Sequence, residues 1–128
     1  MTALATGIDM IEIDRLRNIN PAIRKRFLQR VFTPRELTES GDRDASLAGR
    51  FAAKEAAAKA LGCGIGAVKW QEIEIQLDAQ HKPVLALYGK ALDISIRQGW
   101  ISWSISISHT REYALASVTA LIETEPAD

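Results

Sequence analysis

The sequence has few of the residues that disulfide bonds, zinc sites and membrane-spanning helices require. Its single cysteine, Cys63, excludes an internal disulfide, and two histidines with that cysteine do not predict a structural zinc site. No apolar run approaches the roughly 18 residues of a membrane-spanning helix. The first ten residues also lack the basic and apolar regions of a signal peptide. We therefore expect a cytoplasmic protein with no membrane partner.

Linkers rich in glycine or proline, internal repeats and low-complexity tracts are absent too, so residues 1–128 are predicted to form one domain. The net charge is zero, yet all six charged residues between Arg15 and Arg30 are basic. Such a run is usually a solvated helix surface. Otherwise it indicates an acidic partner, such as nucleic acid, a membrane surface or an acidic protein.

Periodicity and capping residues predict a small α+β fold with an antiparallel sheet, about five strands and about three helices. Strands are expected at 3–13, as two strands within 73–87, and as a hairpin over 101–121. Helices are expected after the cap Asn20, over 44–61 and over 88–99, beside a short one opened by "TPRE". The first helix is predicted to face inward with Ile23, Phe27 and Val31. In "ISWSISISH" the alternation predicts one face of Ile101, Trp103, Ile105, Ile107 and His109, opposite four serines.

The helix over 44–61 has no broad charged face. At 100° per residue its alanines line one side, and Glu55 and Lys59 lie together at the edge of the apolar side. An alanine-lined back indicates close approach of other backbone, which would leave the two charges in a seam or cleft. The alternative is an ordinary i,i+4 pair that stabilises the helix by about 0.3–0.5 kcal/mol.

Asp9 is the second unusual residue, because it shares a strand face with Ile11 and Ile13. An ionised carboxylate there is costly unless it is paired, hydrogen-bonded or metal-bound; the alternative is a solvated strand end. Asp9 and Glu55 could together supply hard oxygen ligands for Mg²⁺. Lys59 and Arg50 would add the positive charge that phosphate chemistry needs.

Four segments, in order over nearly the whole chain, resemble the holo-acyl-carrier-protein synthase family of 4′-phosphopantetheinyl transferases: "GIDMIEIDRL", "VFTPRELTE", "LAGRFAAKEAAAKALGCGIG" and "ISISHTREYALASV". The combination of "RFAAKEA" with "SHT" is the specific part. The resemblance implies Mg²⁺-dependent transfer of phosphopantetheine from coenzyme A to a serine of an acyl carrier protein, releasing 3′,5′-adenosine bisphosphate, as in fatty acid biosynthesis. It also implies a homotrimer with active sites at subunit interfaces. The alanine-backed helix and three tryptophans offer apolar surface for such an assembly.

The resemblance also assigns roles to individual residues. Asp9 and Glu55 match metal ligands, and Lys59 matches a lysine beside the scissile pyrophosphate. His109 matches a histidine of the coenzyme A site, and Arg50 is expected to contact phosphate. We thus expect Glu55, Lys59 and His109 to be catalytic. The serine proton could be taken by Glu55 directly or by a water that it polarises.

The basic run is the expected docking surface for the acidic carrier, through Arg15, Arg24, Lys25 and Arg26. A non-catalytic nucleic-acid-binding α+β module is the alternative from another class. Such a module usually has aromatic stacking residues near the basic patch or an overall basic balance, and this chain has neither. We therefore expect no nucleic-acid partner. Two residues depart from the family pattern, Cys63 and His81, where Thr and Gly are more usual.

Overall fold

A computed structural model describes residues 1–125 as five α-helices, five strands and one 3₁₀ helix. In chain order these are β1 (Thr2–Glu12), α1 (Asp14–Arg17), α2 (Pro21–Val31), α3 (Pro34–Ser40), α4 (Asp44–Leu61), the 3₁₀ helix (Trp70–Glu72), β2 (Ile73–Leu77), β3 (Pro83–Leu87), α5 (Gly89–Gln98), β4 (Trp100–His109) and β5 (Tyr113–Glu123). The α+β class is confirmed, but the expected count of about three helices is too low. Helix α1 was missed because four residues are too few for a periodic pattern.

Strands β1, β5 and β4 form an antiparallel sheet in that order, and β2 and β3 form a separate hairpin. Asp9 of β1 lies opposite Ala116 of β5, which lies opposite Ile107 of β4. In the β2–β3 turn, His81 adopts a positive φ of 61°, and its N–H donates to the carbonyl oxygen of Asp78. The turn therefore closes although a histidine stands where glycine would be less strained.

Helix α4 crosses the inner face of the sheet and packs against β1 and β5. Ala53, Ala56 and Ala57 have no exposed surface. At Gly7 the two backbones are so close that a Cβ would lie 2.0 Å from the carbonyl oxygen of Ala56. The predicted close approach is confirmed. The expectation that this side offers surface for a second subunit is wrong, because the sheet of the same chain covers it.

The predicted helix ends are confirmed by their capping contacts. The Asn20 side chain accepts a hydrogen bond from the backbone N–H of Ala22 at the start of α2. Thr33 and Glu36 form a complete capping box at α3, and α4 ends at Gly62 in the left-handed conformation. Each of these ends depends on residues close in sequence, which is why the sequence could predict it.

The inward-facing position predicted for Ile23 and the strand face predicted for Ile101 are wrong. Ile23 is 47% exposed, because the first turn of α2 extends past the core, whereas Phe27 packs against the core and Val31 is buried in it. Ile101 is 59% exposed, because a bulge at the start of β4 shifts the pairing register and interrupts the alternation. The tryptophans pack within the chain; Trp100, for example, is only 6% exposed.

The outer face of the sheet is apolar and exposed. Leu4, Ile8 and Met10 on β1 and Tyr113 and Leu115 on β5 are all large apolar side chains that remain open to solvent. They alternate with the inner-facing residues of the same strands, and Met10 lies opposite Leu115. An exposed apolar patch of this kind marks an interaction surface. No helix within residues 1–125 is long and apolar enough to span a membrane.

Candidate active site

Asp9 and Lys59 meet where α4 crosses β1. The Lys59 Nζ lies 3.0 Å from Asp9 Oδ1 and 2.9 Å from the carbonyl oxygen of Ile8. The close packing at Gly7 permits this contact, because it holds the adjacent turn of α4 against the strand. The Asp9 side chain is 21% exposed and that of Lys59 is 55% exposed. The pair is therefore shielded at its acidic end and open to solvent at its basic end.

Glu55 lies one helical turn before Lys59 and is partly buried. Burial raises the pKa of the Glu55 carboxyl, the charge of Asp9 raises it further, and Lys59 opposes both effects. A raised pKa makes the carboxylate a stronger base. The fold thus brings together three of the predicted site residues, although Asp9 and Lys59 are 50 positions apart.

The two carboxylates suit a metal that needs few protein ligands. In the described part of the chain, no group of three or more His, Cys, Asp or Glu side chains could hold a metal ion. Mg²⁺ typically takes one or two carboxylates and completes its coordination with water and substrate phosphates. As hard oxygen donors, Asp9 and Glu55 therefore fit Mg²⁺ bound together with a phosphate-bearing substrate.

His109 lines a cleft of about 520 Å³ beside the end of β4. Arg17, Arg43 and Arg50 also line it. Carboxylates offset part of their charge, because Arg17 pairs with Asp14 and Asp44, and Arg50 pairs with Glu39. Guanidinium groups bind phosphate oxygens well, often through two parallel hydrogen bonds. The cleft is therefore suited to an anionic ligand with several phosphate groups.

Strand β5 lies between His109 and the carboxylate pair. His109 follows Ile107 by two residues, and Ile107 lies two strands away from Asp9. Two strand spacings amount to roughly 10 Å. The ring Nδ1 of His109 lies 3.3 Å from the carbonyl oxygen of Thr110. The site thus has two parts, the carboxylate–lysine cluster and the cationic cleft, and His109 belongs to the second.

Arg50 is held by protein partners. It is 3% exposed, and its Nη1 donates to Glu39 Oε1 at 3.1 Å and to the carbonyl oxygen of Ile75 at 3.0 Å. These bonds join α4 to α3 and β2, which gives Arg50 a structural role at the wall of the cleft. Its contact with phosphate stays a prediction.

A buried ion pair next to the site was missed from the sequence. Lys54 and Glu36 are both fully buried, with Nζ 2.7 Å from Glu36 Oε1. Lys54 also donates to the carbonyl oxygen of Ile73, and Glu36 accepts the backbone N–H groups of Thr33 and Ile75. Burial lowers the pKa of Lys54, and Glu36 opposes that effect. This network fixes α4 immediately before Glu55.

A signal for this pair was present in the helical pattern. Lys54 follows Phe51 by three positions and precedes Ala58 by four, so it lies in the middle of the apolar stripe of α4. A charged residue there must be paired inside the fold. The sequence could not identify Glu36 as the partner, because that residue lies on another helix.

The predicted docking surface is exposed at three of its four positions: Arg15, Lys25 and Arg26. Arg24 instead donates to the carbonyl oxygen of Leu16 and, at 3.0 Å, to Asp44 Oδ1. Its charge is therefore partly used within the chain. The exposed Ile23 lies among these cations and adds an apolar side chain to the surface.

Comparisons with known proteins identify the family. A family model described as the 4′-phosphopantetheinyl transferase superfamily matches residues 5–118. A holo-[acyl-carrier-protein] synthase of Herpetosiphon aurantiacus is 44% identical over 125 residues, covering 92% of this chain and 98% of that protein. The chain belongs to the 4′-phosphopantetheinyl transferase superfamily. The resemblance seen in the four sequence segments is thereby confirmed.

Solved structures of phosphopantetheinyl transferases share the fold. The holo-[acyl-carrier-protein] synthase of Helicobacter pylori, in complex with coenzyme A, aligns with a TM-score of 0.82 at 33% identity, covering 90% of this chain and 98% of that one. The Bacillus anthracis protein, in complex with CoA (3′,5′-ADP), aligns with a TM-score of 0.74 at 33% identity, covering 94% and 100%. The chain is therefore an enzyme of the phosphopantetheinyl transferase class.

Proposed function

We propose that the whole chain is one domain that transfers 4′-phosphopantetheine from coenzyme A to a serine of an apo acyl carrier protein, with Mg²⁺ required. The observation that carries this proposal is the convergence of Asp9, Glu55 and Lys59 at the crossing of α4 and β1. The cationic cleft beside it and the relatives that bind coenzyme A support the same substrate. The expected cytoplasmic location stays a prediction.

Asp9 and Glu55 would hold the metal, because they are the two carboxylates at the crossing and their oxygens are the donors that Mg²⁺ prefers. When bound, Mg²⁺ supplies positive charge that neutralises the pyrophosphate oxygens of coenzyme A. Lys54 and Glu36 keep the preceding residue of α4 fixed, so that Glu55 is presented from a rigid element.

The chain's own side chains then act on the reacting atoms. The serine hydroxyl attacks the β-phosphorus of coenzyme A, and the bond from that phosphorus to the bridging oxygen breaks. The bridging oxygen leaves with 3′,5′-adenosine bisphosphate. Glu55 takes the serine proton directly or through a water molecule that it polarises. Lys59 supplies positive charge where the leaving oxygen becomes negative.

The cationic cleft would bind the nucleotide end of coenzyme A. Arg17 and His109 line the cleft and are exposed, so they can contact phosphate groups of a ligand. Arg50 adds positive charge from the wall. His109 lies about two strand spacings from Asp9, the proposed metal ligand. This separation favours a role in binding coenzyme A over a direct role in the chemical step.

The carrier would dock on the exposed part of the basic surface. Arg15, Lys25 and Arg26 supply charge for an acidic partner, and Ile23 supplies an apolar contact among them. Mixed charge and apolar contacts give both fast association and a specific register.

The family resemblance implies a homotrimer, and we propose that it assembles through the outer sheet face. Leu4, Ile8 and Met10 remain 70%, 58% and 61% exposed in the single chain. Burying this face against other copies would stabilise the assembly by about 25 cal/mol for each Å² of apolar surface removed from water. The sheet also carries Asp9 on its inner face, so assembly through the outer face would stiffen the strand that holds the site.

The proposal is tested by incubating the protein with coenzyme A, Mg²⁺ and an apo carrier, then weighing the carrier by mass spectrometry. The carrier should gain one phosphopantetheine group, in equal amount with released 3′,5′-adenosine bisphosphate. A carrier whose acceptor serine is replaced by alanine should stay unmodified. An unmodified wild-type carrier, together with salt-dependent oligonucleotide binding, would instead favour the nucleic-acid-binding module.

A further inference from the structure

We propose that Lys59 occupies the cation position at Asp9 in the metal-free enzyme, and that Mg²⁺ binding displaces it. The ammonium group would then be free to reach the substrate phosphates only after the metal has bound. This inference rests on the proposed function for the nature of the metal and the substrate. It adds an order of events and a second role for the lysine.

The first support is the chemistry of the two groups that bind Lys59. Its Nζ lies 3.0 Å from Asp9 Oδ1 and 2.9 Å from the carbonyl oxygen of Ile8. Both acceptors are hard oxygens, the type of ligand that Mg²⁺ takes in proteins. A lysine ammonium is a compact point charge, so it can neutralise the carboxylate in place of a metal ion.

The second support is the unequal exposure of the pair. The Lys59 side chain is 55% exposed, whereas that of Asp9 is 21% exposed and belongs to a residue in the middle of a paired strand. A flexible lysine with its head group in water can leave at small cost, because exposed ion pairs contribute little to stability. The aspartate cannot follow it. Only the lysine is able to move.

The buried lysine five residues earlier provides a contrast within the same helix. Lys54 is fully buried and is held by Glu36 and by the carbonyl oxygens of Trp70 and Ile73. Leaving that position would abandon a buried carboxylate, which is strongly unfavourable. The helix thus carries one lysine that is locked and one, Lys59, that is free to exchange.

The third support is the repulsion between the two cations. At about 4 Å in water, repulsion between two unit charges weakens binding by roughly fivefold. With a divalent ion the repulsion energy doubles, and the factor rises to roughly 30-fold. A metal at Asp9 would therefore expel the nearby ammonium. The same repulsion makes Lys59 weaken metal binding to the free enzyme, which is a measurable consequence.

The test is a Mg²⁺ titration of the protein without coenzyme A or carrier. In lysine-labelled protein, the Lys59 ¹³Cε–¹Hε signal is identified by its loss in Lys59→Met. We expect this signal to move to the position of a solvent-exposed lysine as Mg²⁺ saturates the site. In Asp9→Asn it should start near that position and respond little. Calorimetry should show Mg²⁺ binding roughly 5- to 30-fold tighter in Lys59→Met, and unchanged in Lys82→Met, which alters an exposed turn lysine.

A Lys59 signal that stays in place at Mg²⁺ saturation would overturn the proposal, as would unchanged or weaker Mg²⁺ affinity in Lys59→Met. Failure of the free enzyme to bind Mg²⁺ would overturn it as well. None of these readouts requires a carrier. They therefore separate failure of the lysine exchange from failure of the proposed transfer, which the mass of the carrier reports.

Discussion

Replacing Gly7 by alanine should disrupt the site without touching any residue that performs chemistry. The added Cβ would lie 2.0 Å from the carbonyl oxygen of Ala56 and 2.8 Å from the backbone nitrogen of Ala60. Real Cβ contacts are essentially never shorter than 3.0 Å, so α4 and β1 must separate by about 1 Å. Both atoms belong to the helix backbone, which cannot yield as a flexible side chain can. The turn that carries Lys59 would therefore move away from Asp9.

The expected magnitudes follow from this displacement. Overpacking of this kind costs about 1–3 kcal/mol or more in the free energy of unfolding. For a chain of this length, that lowers the melting temperature by roughly 5–15 °C. A shift of about 1 Å in the catalytic groups lowers kcat by roughly 100-fold.

Thermal unfolding and carrier-transfer kinetics measure the two effects. Gly64→Ala is the matched control, because a Cβ there has no heavy atom within 4 Å. This control should keep both the stability and the rate of the wild type. A Gly7→Ala enzyme with normal melting temperature and normal kcat would refute the claim that close contact between α4 and β1 builds the site.

Three further predictions concern the chemical step, the assembly and the carrier. Lys59→Met should lower the single-turnover rate by about 100- to 1000-fold, with little change in coenzyme A affinity, because its charge matters most where the leaving oxygen becomes negative. Met10→Glu should convert the proposed trimer into smaller species in light scattering, because a charge would have to be buried between subunits. Arg15→Glu should raise the carrier KM by about 5- to 20-fold and flatten the salt dependence of kcat/KM.

Each of these predictions has its own contradicting result. If Lys59→Met weakened coenzyme A binding and left the single-turnover rate unchanged, the lysine would be an anchor. Ile96→Glu is the control for Met10→Glu, because Ile96 is equally exposed but lies on α5; equal effects of both changes would contradict assembly through the sheet. Arg97→Glu reverses an exposed charge on the same helix α5; a similar rise in carrier KM would contradict a defined docking surface.

The sequence could predict the parts of the fold whose causes are local. The Thr33–Glu36 capping box, the end of α4 at Gly62 and the alanine side of α4 depend on residues within a few turns of each other. Those predictions are confirmed. The family resemblance was not needed for them, because hydrogen-bonding capacity and side-chain size were sufficient.

The parts that could not be predicted depend on distant partners. In β1 both faces carry apolar residues, so hydrophobicity could not indicate which face is buried. The inner face holds the small residues Ala5 and Gly7 because α4 lies close to it, and the larger Leu4 and Ile8 point outward. The same limit applies to the site, since the contact of Asp9 with Lys59 depends on this packing.

The central claim is that the two carboxylates at the crossing of α4 and β1 support transfer by holding Mg²⁺. It is tested most directly by single-turnover transfer to the carrier at limiting and saturating Mg²⁺ with wild type, Asp9→Asn and Glu55→Gln. We expect each variant to fold and assemble normally and to lose at least about 100-fold in rate, most severely at limiting Mg²⁺. A near-normal rate at limiting Mg²⁺ in either variant would contradict the claim.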